Sequence, residues 1–495
     1  MVHYTQRKHS WLYAEVIVDV WFWSNGAMEY DYRNLVRTYG VMPIMDGLDK
    51  ISPWPRRIGA AAVVKNVIST VVDNHPFVHL LTTRLANVGV DIASIVDFIV
   101  VPSDHFRQDW TNAGYVRQDA VAELGFACPD AQLPSVLVCP VATTSKLYLR
   151  VESIEDFLAA NNLRNVAVYG TTDADLRFTD ELVTGSSCYL VQRSGTRGYS
   201  VISHPESYAE ALAQTRCIFR DRSRTGDDLS DTRGALQAFI AAEALVGTGR
   251  AVDEFFAAER EYWMSRNAAG RWQKSRQDSI GIGWSNHDHH TYRSSREAFQ
   301  GLIQLFLRMG FTLRERFYAG EDAGWGAQIA EHPVSRVVIF ADVDITADEL
   351  NTDFGITALP PSDKLGTIGL WCALHGGAIG LAGMHHLEAE FIHTVVRDSY
   401  IKDGGSVMNP FTDIEVLWQA FTSAEIWTVD AGRLDRLIRD ELLDHATAEQ
   451  FKMNGAPGSH LEILQRWDGF KGFNKTGISE IISKTDPRKL NQSLS

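Results

Sequence analysis

Cysteine is scarce: five in 495 residues, at positions 128, 139, 188, 217 and 372. So odd and scattered a set excludes a disulfide framework and a Cys-type zinc site, and it fits a reducing cytoplasm. Positive charge is in deficit too, with 47 Lys and Arg against 62 Asp and Glu, a formal net charge of -15. Nucleic-acid binding needs clustered cations against phosphates, so small molecules are the expected partners. Long uncharged apolar runs are missing; the most apolar early stretch, 11–23, carries Glu15 and Asp19, which argues against a bilayer span. Neither a signal peptide nor a membrane anchor is expected. The first 201 residues also lack a phosphate loop, a dinucleotide fingerprint, a nucleophile elbow and a clear internal repeat.

What is present is the composition of a globular chain, 45% hydrophobic and 22% charged, long enough for two or more domains. Strand-like and helix-like runs alternate through 1–206, an α/β domain of unrecognised type. Strands are expected over 13–22, 95–101, 134–141 and 165–169, a helix over 60–72, and a hairpin from 187–192 and 198–202. A helical connector follows over 207–279, with helices at 232–246 and 251–264 broken at Gly247-Thr248-Gly249 and a polar boundary at 267–278. Residues 280–486 form the last domain and 487–495 a polar tail.

That last domain opens on a strand over 280–292 ending in Asn286-His287-Asp288-His289-His290-Thr291-Tyr292-Arg293. A helix with a wide apolar face runs from Ser295 to Gly310, and strands follow at 311–318, 325–331 and 336–340, giving the order β-α-β-β-β. After the Gly-rich run 376–383 a second unit starts with a strand at 384–391. It continues with helical spacing at 414–423 and 434–443 and closes with a strand at 461–466. The fold class is α+β, with paired C-terminal modules.

Alternation across the closing strand puts Leu461, Ile463 and Gln465 on one side, and His460, Glu462, Leu464 and Arg466 on the other. A carboxylate among apolar neighbours needs a cation or a hydrogen-bond partner. His289, His386 and Glu462 each sit on an expected strand, separated by 97 (386 − 289) and 76 (462 − 386) residues. Two neutral imidazoles and one carboxylate leave metal positions open to substrate and oxygen, as in non-haem iron(II) oxygenases. Plainer readings stand beside this one. The histidines at 287, 289 and 290 could be a solvated edge, with His287 sharing the face of His289. Either His385 or His386 could be the second ligand. Glu388 and Glu390 could orient a ligand, replace one, or be surface charge. Arg293 is a candidate carboxylate anchor or a structural ion pair. Gln328 and Gln465 are candidate donors to a substrate oxygen, and Phe470 and Phe473 form either a lid or core packing.

The unit opening on Asp288-His289 resembles a module of the vicinal-oxygen-chelate superfamily. The end of the chain, Leu461-Glu462-Ile463-Leu464-Gln465-Arg466 with Gly469-Phe470-Lys471-Gly472-Phe473-Asn474 and Ile478-Ser479-Glu480-Ile481-Ile482, is similar to that of 4-hydroxyphenylpyruvate dioxygenase-like enzymes. The resemblance covers about 280–486. It implies iron ligation by His289 after its Asp, by His386 three residues after Gly383, and by Glu462 before the Gln-Arg pair. The run His289 to Arg293, Met309-Gly310 and the Glu462 strand also resemble the 2-oxoadipate dioxygenase/decarboxylase group. Both resemblances imply an Fe(II)-dependent dioxygenase that uses O2 on a 2-oxo acid or another chelating small molecule. Mn, Co, Mg or Zn would serve instead in a redox-neutral lyase, isomerase or dehydratase on the same scaffold. A non-catalytic binding or scaffold protein is the reading from a different class, and a homo-oligomer is compatible with each.

Overall fold

The computed structural model describes residues 22–24, 27–29, 54–103, 108–118, 125–320, 323–410, 415–473 and 486–490. The chain divides into two compact units after Gly47. In the first, Phe22–Ser24 and Ala27–Glu29 pair as an antiparallel hairpin; apart from Phe22, the strand expected over 13–22 lies outside the described residues. All that follows belongs to the second unit, Leu48–Ser495. Among the described residues no helix is long and apolar enough to cross a membrane.

The helices expected from apolar spacing form, at Ile58–Asn74, Asp228–Val246 and Thr248–Ser265. Gly247 separates the last two at φ +80°, a conformation that costs glycine nothing. The polar stretch expected as a boundary is instead a helix, Ala268–Asp278, capped by Asn267, whose side chain accepts from the Gly270 amide. Part of its polarity is internal, at Gln273 and Gln277. Gln277 is fully buried and donates to Gly283 O (2.5 Å) and Asn286 Oδ1 (2.7 Å), so amides replace an apolar stripe. Phe256, also fully buried, packs against His290, Tyr292 and Phe306. Burial of such a ring contributes roughly 1.5–3 kcal/mol, and it fixes the back of the strand that carries His289.

Two large sheets position the site; a small one pairs Ile426–Trp427 with Ala456–Pro457. The N-terminal sheet has eight strands in the order Val116–Arg117, Gly125–Ala127, Ser135–Cys139, Val96–Pro102, Lys146–Arg150, Cys188–Arg193, Leu176–Thr179 and Val168–Tyr169. The C-terminal sheet has seven, in the order Thr312–Tyr318, Trp325–Glu331, Val338–Asp344, His287–Arg293, His386–Glu390, His460–Arg466 and Leu417–Phe421. The paired modules are therefore present as expected, the second with one strand reduced to the bridge Val407 to Thr422, and with three further local differences. The strand expected over 280–292 begins only at His287. Residues 198–202 form no strand, and Cys188–Arg193 pairs with Lys146–Arg150 and Leu176–Thr179 instead. The helix expected within 414–423 is the strand Leu417–Phe421, held by pairing to His460–Arg466; tertiary pairing overrides the helical spacing.

The sequence shows no clear repeat, but the two sheets are built alike. Each has a central antiparallel pair flanked on both sides by a parallel neighbour and then by antiparallel strands. Where the N-terminal sheet ends in Val168–Tyr169, the C-terminal one keeps a single bridge, Val407 to Thr422. Register agrees residue by residue. Phe98 faces Tyr148 and Val100 faces Lys146, with an irregularity between Val96 and Phe98; His289 faces Glu388 and Thr291 faces His386, with the same irregularity between His287 and His289. Tyr148 faces Tyr189 as Glu388 faces Glu462. The two closing strands then end alike, Tyr189-Leu190-Val191-Gln192-Arg193 and Glu462-Ile463-Leu464-Gln465-Arg466. The expected α/β N-terminal part is thus a second pair of the same modules.

Candidate metal centre

The site is assembled by register. His287–Arg293 runs antiparallel to His386–Glu390, which runs parallel to His460–Arg466, so one face of three adjacent strands carries His289, His386, Glu388 and Glu462. The bulge before His289 breaks the simple alternation. His287 therefore does not share the face of His289: its ring packs edge-on against His290, 5.6 Å between centroids. Asp288, inside the bulge, reaches sideways to His289 Nδ1 at 2.9 Å.

One ligating atom from each of His289, His386, Glu388 and Glu462 lies within 4.8 Å of the others, and all four residues are buried. His289 Nε2 contacts Glu388 Oε2 directly. His386 Nε2 is 2.9 Å from Glu462 Oε2 and 2.8 Å from Thr291 Oγ1. Each group is also held from behind. Asp288 Oδ2 sits on His289 Nδ1, His385 Nδ1 is 2.9 Å from His386 Nδ1, and Gln419 Nε2 donates to Glu462 Oε1 (3.0 Å) and Glu388 Oε1 (3.4 Å).

This arrangement fits a divalent cation. With its Nδ1 proton engaged by Asp288, His289 turns an Nε2 lone pair toward Glu388 Oε2, which is buried without a hydrogen-bond partner among the described residues. Two facing lone pairs in a dry site need a proton or a metal between them. Two imidazole nitrogens and two carboxylate oxygens suit Fe, Mn, Co or Zn. Outer partners that fix ring orientation and tautomer are the usual companions of metal-binding histidines.

The electrostatics agree. Burial pushes the Glu462 carboxyl up to about 7 against the pull of His289 and Gln419. Burial, reinforced by Glu462 and Asp288, holds Glu388 well above the usual carboxylate range. The two carboxyls resist ionising together while no cation lies between them. Burial, with His289 and Arg293 adding to it, keeps the His386 imidazole well below its usual range and hence neutral. At Asp288 burial acts upward, but Arg466, His289 and Gln132 outweigh it and hold the carboxyl far below the ordinary value.

The counterpart of Glu462 in the first C-terminal module is Phe340, which lies opposite Thr291 as Glu462 lies opposite Glu388. It offers no ligand. Its ring lies 4.2 Å from that of His289 and 4.7 Å from that of Phe473, which also approaches Phe317. Phe470 and Phe473 are buried in this packing.

Arg293 is buried beside the cluster, its guanidinium 5.5 Å from the Trp371 ring, and its Nε has no hydrogen-bond partner among the described residues. Burial lowers it to about 10 against the pull of Asp342, which faces it across the strand pair. Gln328 and Gln465 are not brought to the cluster. Gln328 Nε2 is taken by the backbone carbonyls of Glu315 and Ile329. Gln465 Oε1 accepts from the His393 amide, at the start of the helix His393–Lys402. Of the two adjacent histidines, His386 faces Glu462, while His385 backs it and meets the His460 ring edge-on. Nothing in the sequence marks Gln419, because its segment has the spacing of a helix, whereas Glu388 is legible there as a candidate ligand or ligand partner.

No family model matches this chain, and no curated protein does. Solved structures similar to it include methylmalonyl-CoA epimerase from Mycobacterium tuberculosis, at 11% identity over 37% of this chain and 88% of that one, TM-score 0.21. A mutant of 4-hydroxymandelate synthase from Streptomyces coelicolor is similar at 13% identity over 70% and 98%, TM-score 0.28. The uncharacterized protein YdcJ from Shigella flexneri is similar at 13% identity over 49% and 73%, TM-score 0.23.

Proposed function

We propose that this chain is a divalent-metal enzyme for a small chelating acid, with His289, His386 and Glu462 as metal ligands, and that its reaction is an Fe(II)-dependent dioxygenation of a 2-oxo acid. The observation that carries this reading is the convergence of two imidazole nitrogens and two carboxylate oxygens on one buried point, with Asp288 and His385 behind the imidazoles and Gln419 behind both carboxylates. A metal bound there would supply Lewis acidity and, as iron(II), the electrons that oxygen chemistry requires. The chain's own groups do the remainder. Arg293 presents a buried guanidinium with an unused donor to the substrate carboxylate. Phe317, Phe340 and Phe473 keep water from one side of the cluster. Asp342, raised to about 7 by burial and by Glu462 against the pull of Arg293, can hold or release a proton near neutrality.

A second reading rests on Glu388. A fourth protein donor leaves fewer positions open and suits a redox-neutral isomerase, lyase or dehydratase that uses Mg, Mn, Co or Zn. Metal analysis with oxygen-uptake measurements across a panel of 2-oxo acids tests both. Oxygen consumed in step with carbon dioxide release, in iron-loaded protein only, is the expected result. Turnover that persists anaerobically with magnesium would replace the first reading by the second. Unchanged metal content after Ala substitution of His289, His386 and Glu462 would sink both and leave a binding or scaffold role.

A further inference from the structure

The bulge in each sheet carries an aspartate, Asp97 in one and Asp288 in the other, and each meets the arginine that ends a closing strand, Arg193 or Arg466. The two buried pairs differ in detail. Arg193 Nε grips both oxygens of Asp97, at 3.0 and 2.8 Å. Arg466 reaches Asp288 only through NH2 on Oδ2, at 3.0 Å, and its Nε is buried without a partner among the described residues. What occupies the other oxygen of Asp288 is Gln132, a residue of the N-terminal sheet's own loop, whose Nε2 donates to Oδ1 at 2.5 Å.

We infer that Gln132 is a positioning residue for the metal centre, and that through it the N-terminal pair of modules governs the C-terminal pair. By holding Oδ1, Gln132 keeps Asp288 from swinging into the two-oxygen grip that its counterpart adopts with Arg193. Oδ2 then stays on His289 Nδ1 and sets the tautomer that aims the Nε2 lone pair into the cluster. The loop is itself anchored. The Gln132 amide donates to Gly469 O at 3.0 Å, and Leu133 fills the space beside Gly469, which has φ +64°. Gly469 belongs to the turn whose Gly472 carbonyl accepts from Arg466 NH1 and whose Phe473 lies on Phe340. The N-terminal sheet has the aromatic stack Phe98, Tyr148 and Tyr189 at the ligand addresses, with centroids 4.2 and 4.8 Å apart. Its contribution to the centre is made through this loop.

The inference rests on the metal-site reading, and the test separates the two. Co(II) is titrated into the full-length protein while its visible absorption is followed, for wild type, Gln132→Ala, Gln132→Glu and Leu133→Ala. Gln132→Ala is expected to weaken Co(II) binding about tenfold and to change the band shape; this is the low end for an outer partner, because Gln132 is exposed. Gln132→Glu fills the same space but places a second carboxylate against Asp288, so it is expected to be worse than Ala, whereas a packing role would leave it near wild type. Leu133→Ala, which loosens the anchor of the loop and leaves the Gln132 amide in place, is expected to lower stability and to weaken Co(II) binding by less than Gln132→Ala does. Wild-type affinity and spectrum in both Gln132 variants would overturn the positioning role alone. Failure of wild-type protein to bind Co(II), or equal binding by Glu462→Ala, would overturn the metal reading beneath it.

Discussion

The two sheets present the same backbone addresses with different occupants. At the positions of His289, His386, Glu388 and Glu462 in the C-terminal sheet, the N-terminal sheet has Phe98, Lys146, Tyr148 and Tyr189, and Lys146 Nζ lies 5.2 Å over the Tyr189 ring. One set is buried charge that asks for a cation; the other is stacked rings with a cation already over one of them. The capacity to hold a metal would therefore belong to the residues and not to the fold, and the Asp-Arg pair, which both sheets keep, is a structural element in its own right.

The sharpest way to break this comparison is to change equivalent positions in both sheets. Glu462→Ala or His289→Ala is expected to weaken metal binding a hundredfold or more, on the order of or beyond the loss an outer partner causes. Phe98→Ala and Tyr189→Ala are expected to leave stoichiometry at one metal per chain, as read by metal analysis of the purified protein. Arg193→Ala and Arg466→Ala come next. Each strands a buried aspartate and is expected to cost about 3–5 kcal/mol in denaturant unfolding, but only Arg466→Ala should also shift metal affinity.

A pH series sharpens the contrast at a smaller scale. In metal-free protein the Glu462 carboxyl stands at about 7 against an ordinary 4.5. Between those values the folded state binds more protons than the unfolded one, so stability falls as pH rises through the window; Glu388 acts in the same direction. Metal binding needs both carboxylates ionised, so affinity rises with pH over the same range, and thermal melts of loaded protein should lose the decline. The smallest effect concerns the two glutamines that close matching strands. Gln192 Oε1 accepts from the Ile154 amide as Gln465 Oε1 does from His393, so Gln192→Ala and Gln465→Ala are each expected to cost about 1 kcal/mol and to leave metal affinity unchanged.

The sequence is a good guide where one element decides its own form. The helices around Gly247 follow from apolar spacing, and His289, His386 and Glu462 stand out as polar groups on expected strands. Form settled between elements is less visible. Val416, Leu417, Ala420 and Phe421 recur as a helix face would, yet hydrogen bonds to His460–Arg466 make that stretch a strand. A one-residue bulge sets His287 with His290 and cannot be read from alternation. The repeat is faint in sequence because only the Gln-Arg strand ends and one aspartate persist, while the residues of the His-Glu cluster have different counterparts. Tyr189 to Arg193 against Glu462 to Arg466 is the trace of it that the sequence keeps.

The bulge shared by Asp97 and Asp288 has a consequence for how such a site can be gained or lost. The kinked backbone and its ion pair stand whether the neighbouring side chain is a phenyl ring or an imidazole. Scaffold and reactivity are therefore separable inheritances: chemistry can be erased from one half of the chain, or written into it, by exchanging a few side chains over a main chain that stays as it is.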